Sequence, residues 1–141
     1  MARGRNQVAA GFPRRHTALA VSEENVRAVH AVYGEFNRRN LRAMLQHFDP
    51  DAEWERVAPD PDVYRGLDDI TKRLRERPEN LRMEPRRWFE AGGDHVVVIG
   101  EMYEEGPSVG PESPRDFVHV WKVQAGKAAW VFEVTGEPSQ D

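Results

Sequence analysis

The stretch RDFVHVWKVQAGKAAWVFEVT, residues 115–135, decides how the chain folds. Apolar and polar side chains alternate on either side of Ala125-Gly126-Lys127, so it reads as two strands, Arg115 to Gln124 and Ala128 to Thr135, joined by a tight turn. On the first strand Phe117, His119 and Trp121 share one face while Val118 and Val120 share the other. On the second, Trp130, Phe132 and Val134 lie opposite Val131 and Glu133. Neither face is polar enough to stand in water. Helices from the same chain can cover one side, and a twin subunit is the commonest cover for the other, so a homodimer through the outer face of the sheet is expected.

Upstream the same period continues. Arg82 to Ala91, a Gly92-Gly93-Asp94 turn and His95 to Glu104 form a second hairpin, with Pro85 marking an edge or a bulge. A loop rich in Gly and Pro, Gly106 to Pro114, separates the two hairpins. Before Arg82 the period becomes helical. Ser22 with Glu23 and Glu24 suits a helix start, and Val26, Val29, Tyr33 and Phe36 then fall on one face. Asn40 restarts the pattern with Leu41, Met44, Leu45 and Phe48, which Asp49-Pro50-Asp51 ends. Ala52 to Val57 reads as a strand broken by Pro59 and Pro61, and Tyr64-Arg65-Gly66 leads into a third helix on Leu67, Ile70 and Leu74 that stops near Pro78. Helices followed by strands give an α+β fold with helices on one face of an antiparallel sheet.

The 141 residues suit one domain, expected over 22–136, with 137–141 as a tail. Residues 1–21 carry Arg3, Arg5, Arg14 and Arg15 without an acid and are expected to form a disordered basic arm outside the fold. Arg14-Arg15 lacks the apolar run that an export signal needs, so a soluble, cytoplasmic protein with no membrane partner is expected. A net charge of −4 argues against nucleic acid as a partner, and the absence of cysteine excludes disulfides and thiolate chemistry. The five histidines show no metal-ligand spacing, Asp49-Pro50-Asp51 is first of all a turn, and Gly92-Gly93 lacks the context of a nucleotide loop, so neither metal nor cofactor is implied.

The helix pair, Phe48-Asp49-Pro50-Asp51-Ala52-Glu53-Trp54 leading into a strand, Tyr64-Arg65-Gly66 before a helix, and Val120-Trp121 followed by Gly126-Lys127 together resemble the NTF2-like superfamily, and within it the SnoaL-like group. The resemblance covers roughly residues 22 to 136 and rests on the order of its pieces. It implies three N-terminal helices packed on a curved, mixed or antiparallel sheet, a cone open at one end onto an apolar cavity, and dimers through the sheet's outer face. It also implies functions ranging from cyclases, dehydratases, isomerases and epoxide hydrolases to proteins without known activity, so fold alone does not decide function.

The expected ligand is a small apolar molecule, and the candidate catalytic residues are His119, Glu133 and Arg56. His119 sits between Phe117 and Trp121, on the face that the family pattern turns into the cone, where it is either a general acid or base or a hydrogen-bonded core histidine. Glu133 resembles an acidic residue of the epoxide hydrolases. Alternation leaves it either inward, beside His119, or outward as a surface acid. Arg56 shares a face with Trp54 and either binds an anionic oxygen or pairs with Glu133. Candidate binding residues are Trp54, Tyr33, Tyr64, Met102, Phe117 and Trp121, each of which also has a plain packing role. The steroid isomerase pattern needs an aspartate where Arg56 aligns and a tyrosine near Val32, and the epoxide hydrolase Arg-x-Asp pair falls at Gly100 and Met102, so both activities are disfavoured. Acid–base chemistry of the cyclase, dehydratase or isomerase type survives, and the alternative is a non-catalytic ligand-binding or assembly module.

Overall fold

The computed structural model describes residues 12–106 and 111–137, with side chains over 23–106 and 114–137. Residues 1–11 of the expected arm, four residues of the Gly- and Pro-rich loop and 138–141 of the tail lie outside the described residues. The elements are α1 (Phe12–Asn37), α2 (Leu41–Leu45), β1 (Phe48–Ala58), β2 (Asp62–Arg65), α3 (Gly66–Arg75), β3 (Leu81–Ala91), β4 (His95–Glu105), β5 (Pro111–Gln124) and β6 (Lys127–Thr135). They form an α+β domain with one six-stranded mixed sheet in the order β2-β1-β6-β5-β4-β3.

Both expected hairpins are present. Gln124 pairs with Lys127, leaving Ala125 and Gly126 as a two-residue turn with φ of 52° and 74°. Two positive φ values give the turn whose twist matches that of the strands it joins. Pro85 sits at a register shift against β4, as its missing N–H predicts. Along β4, Val96, Val98 and Met102 are buried while Val97 and Ile99 on the other face are half-buried.

Several boundaries differ from the sequence reading. Helix α1 runs back to Phe12, ahead of the cap expected at Ser22 and through residues assigned to the arm. The helix expected from Asn40 to Phe48 is only a short turn, Leu41–Leu45, with the Asn40 side chain accepting from the Ala43 N–H at 3.2 Å. Asp49-Pro50-Asp51 does not end a helix but lies inside β1, where the ladder to β6 is interrupted between Phe48 and Glu53 and Asp51 N–H bonds to Asp49 Oδ1 at 2.8 Å. The turn chemistry is satisfied as an irregularity within the strand. Asp62–Arg65 is a short edge strand antiparallel to β1, and β1 runs parallel to β6, so the sheet is not purely antiparallel. The three helices are also not all N-terminal, because α3 follows β1 and β2.

Helix α1 lays Val29, Val32, Tyr33 and Phe36 onto the inner face of the sheet, where Trp54, Phe117, Trp121 and Val131 are buried. Midway along the helix, Asn25 ties it to the sheet, donating to Gly93 O at 3.1 Å and Val123 O at 3.3 Å. Gly100 is needed for packing, since a Cβ there would stand 2.3 Å from Glu84 O and 2.7 Å from the Phe117 ring. Among the described residues, no helix is long and apolar enough to cross a membrane.

Candidate functional site

His119 and Glu133 are direct partners across the β5–β6 ladder, so their side chains leave the sheet on the same face a few ångströms apart. That face is the inner one: both are 0% exposed. His119 Nε2 lies 2.7 Å from Glu133 Oε2. Beyond the imidazole, the Tyr33 hydroxyl lies 2.6 Å from Nδ1 and itself accepts from Trp121 Nε1–H at 2.9 Å. One proton arrangement satisfies the whole row. The Trp121 N–H donates to Tyr33, the Tyr33 O–H donates to Nδ1, and Nε2–H of a neutral imidazole donates to the carboxylate.

The carboxylate is clamped from its other side by Arg77, in the turn after α3, with Nη2 2.7 Å from Oε1 and Nη1 3.3 Å from Oε2. Trp54 Nε1–H adds a bond to Oε1 at 3.1 Å, and the guanidinium lies over the Trp54 ring, 5.5 Å from its centroid. Burial by itself would raise the Glu133 carboxyl, but the Arg77 charge and the hydrogen bonds from His119 and Arg77 outweigh it and hold the group far below the usual carboxylate range. Burial opposes the Arg77 charge in the same way, and Glu133 overrides it, so Arg77 stays a cation. The Tyr33 hydroxyl is pushed well above its ordinary value, chiefly by burial, and remains a donor.

Arg77 and Glu133 line a cavity of about 340 Å³ whose wall also includes Arg56, Leu81, Met102 and Arg115. The lining is mixed, with three arginines, rather than the apolar surface expected from the sequence. Met102 is on the wall as anticipated. The other candidate binding residues are within the packed core: Tyr33 and Trp121 hold the row behind His119, Phe117 lies 4.5 Å from the His119 ring, and Trp54 and Tyr64 stack with centroids 6.4 Å apart. Arg56 does not reach Glu133. Its Nε–H donates to Asp60 O at 2.9 Å, and Arg77 has the place beside the carboxylate. Sequence reasoning missed Arg77, whose only signal was a cation just past the last turn of α3 and before Pro78. Where the other family patterns would place a tyrosine and an arginine, Val32 is buried among apolar side chains and Gly100 has no room for a side chain. Among the described residues no group of three or more His, Asp or Glu side chains is placed to hold a metal ion.

A family model described as a SnoaL-like domain matches residues 26–131. Similar solved structures include TerC co-crystallised with polyporic acid, 28% identical with a TM-score of 0.68 over 80% of this chain and 92% of that one. An NTF2-like protein of unknown function from Burkholderia pseudomallei is 26% identical, with a TM-score of 0.65 over 78% and 88%. A phenazine biosynthesis-related protein from Pseudomonas aeruginosa shares the fold at 19% identity, with a TM-score of 0.71 over 86% and 84%. No curated protein gives a significant match.

Proposed function

The chain belongs to the SnoaL-like domain family, and from that premise we propose that it binds a small organic molecule in the cavity and acts on it by cofactor-free acid–base chemistry, of cyclase, dehydratase or isomerase type. The observation that carries this reading is the Glu133 carboxylate, buried against the cavity with His119 on one oxygen and Arg77 across both. A carboxyl group is the right proton carrier for a carbon acid or a leaving hydroxyl, and a fixed guanidinium beside it stabilises an oxyanion. His119, behind Glu133 rather than on the cavity wall, sets the carboxylate's orientation through its hydrogen bond to Oε2. Arg56 serves as a wall cation. TerC, a relative with the same fold, was co-crystallised with an acid, which agrees with a wall that carries three arginines.

A second reading has its own support. Trp54, Phe117 and Trp121 are buried in the interior rather than on the cavity wall, as in a protein that holds a ligand without transforming it. A screen of cyclic carbonyl, hydroxy, epoxide and carboxylate compounds with the parent, His119→Ala and Glu133→Gln separates the two. Turnover that disappears in Glu133→Gln supports catalysis, binding without turnover supports the second reading, and the absence of both overturns the small-molecule function.

The outer face supports a homodimer as the working form. Val118, Val120, Trp130, Phe132 and Val134 stand there half-buried, and Trp130 and Phe132 rings touch at 5.4 Å. Sedimentation equilibrium at micromolar concentration tests this, and a monomer would contradict it.

A further inference from the structure

A carboxylate offers about four lone-pair sites, and Glu133 has donors on all of them. Oε1 takes Arg77 Nη2 and Trp54 Nε1; Oε2 takes His119 Nε2 and Arg77 Nη1. With its acceptor sites filled and its surface covered, Glu133 cannot receive a proton from a molecule in the cavity until a donor leaves. Trp54 and His119 cannot leave, because both are buried on strands within the core. Arg77 can. It lies in a turn, its side chain is 12% exposed, and it lines the cavity.

A guanidinium gives up one carboxylate readily only for another anion, which replaces the charge and the paired hydrogen bonds together. Resting on the reading of Glu133 as the acid–base group, we propose that the ligand is a small organic anion, a carboxylate or phenolate, whose oxygen draws Arg77 away from Glu133 and thereby opens the carboxylate to proton transfer. The cavity favours such a ligand. Arg56 and Arg115 are half-buried on its wall, whereas its other acids, Glu76 and Glu137, are exposed.

The groups that face Glu133 are His119 from β5, Trp54 from β1 and Arg77 after α3. Tyr33 from α1 stands behind His119, and Tyr64 from β2 lies 3.5 Å from Arg77 Nη2. Arg77 is the only Lys or Arg within ion-pair distance of the carboxylate among the described residues. Moving it removes the largest effect that opposes burial and leaves His119 against it, which shifts the balance toward the protonated carboxyl. Anion binding is therefore accompanied by proton uptake at Glu133.

Calorimetric titration of the full chain with benzoate, with polyporic acid and with neutral benzamide, in buffers of different ionisation enthalpy at about pH 6 and about pH 5, counts those protons. The expected result is benzoate binding about tenfold or more tighter than benzamide, with proton uptake that grows toward the lower pH. Glu133→Gln should still bind benzoate but without that uptake; if the variant does not fold, the proton count of the parent decides. Benzoate binding without proton uptake, or benzamide binding equally well, overturns the exchange and leaves the small-molecule reading standing. If neither benzoate nor polyporic acid binds, both fall.

Discussion

The two faces of β6 carry opposite chemistry. Inward, Glu133 is a charged side chain with no exposed surface; outward, Trp130, Phe132 and Val134 are apolar and only half-covered. A one-sided antiparallel sheet normally shows the reverse. The difference teaches that each face is completed by something other than water. The inner charge is completed by donors from four other segments of its own chain, through Trp54, His119 and Arg77 and, behind them, Tyr33. The outer rings await a cover, which the proposed second copy would supply. Stability of the single chain should therefore depend on the inner face and association on the outer one.

The strongest way to break this contrast is Arg77→Met, which leaves Glu133 buried without its counter-charge. We expect a loss of about 3–5 kcal/mol at neutral pH in urea unfolding. Tyr33→Phe removes both the acceptor for Trp121 N–H and the donor to His119 Nδ1, and should cost about 1–3 kcal/mol by the same measurement. Acid sharpens the contrast further. Glu133 is held below its ordinary value of 4.5 in the folded protein, so its contribution is complete above that value and is lost as pH falls toward the depressed one. The parent should thus lose stability below that value more steeply than Glu133→Gln does. On the outer face, Phe132→Asp should alter the unfolding free energy of the monomer by about 1 kcal/mol or less while shifting sedimentation from dimer to monomer. A large loss of monomer stability in that variant would erase the distinction between the faces.

Much of this arrangement was legible in the sequence because it follows from period. Alternation put His119 with Phe117 and Trp121, and Glu133 with Val131, and the turn at Ala125-Gly126 made the two strands neighbours. The helical spacing of Val29, Tyr33 and Phe36 placed the Tyr33 ring on the core side of α1. Period does not say which face is inner, and only the packed structure turns Glu133 toward His119. It also says nothing about residues in turns. Arg77 follows α3 outside any repeat, so its pairing with Glu133 depends on the path of the turn between α3 and β3. Arg56 looked like the partner because it shares a face with Trp54, and the parallel β1–β6 register does set it opposite Glu133, yet its side chain is drawn to Asp60 O at the strand's end. The short β2 was hidden between Pro61 and Gly66, where four residues are too few to show alternation.

The central claim, that the Arg77–Glu133 end of the inner face is where a ligand meets the protein, is tested most directly by the tryptophan indole N–H signals in an NMR titration with benzoate and with polyporic acid. Trp54 donates to Glu133 beneath Arg77, while Trp130 lies on the outer face. The Trp54 signal should move saturably with at least one of the two acids while Trp130 stays in place. A titration in which Trp130 moves and Trp54 does not, or in which neither responds to either acid, would contradict it.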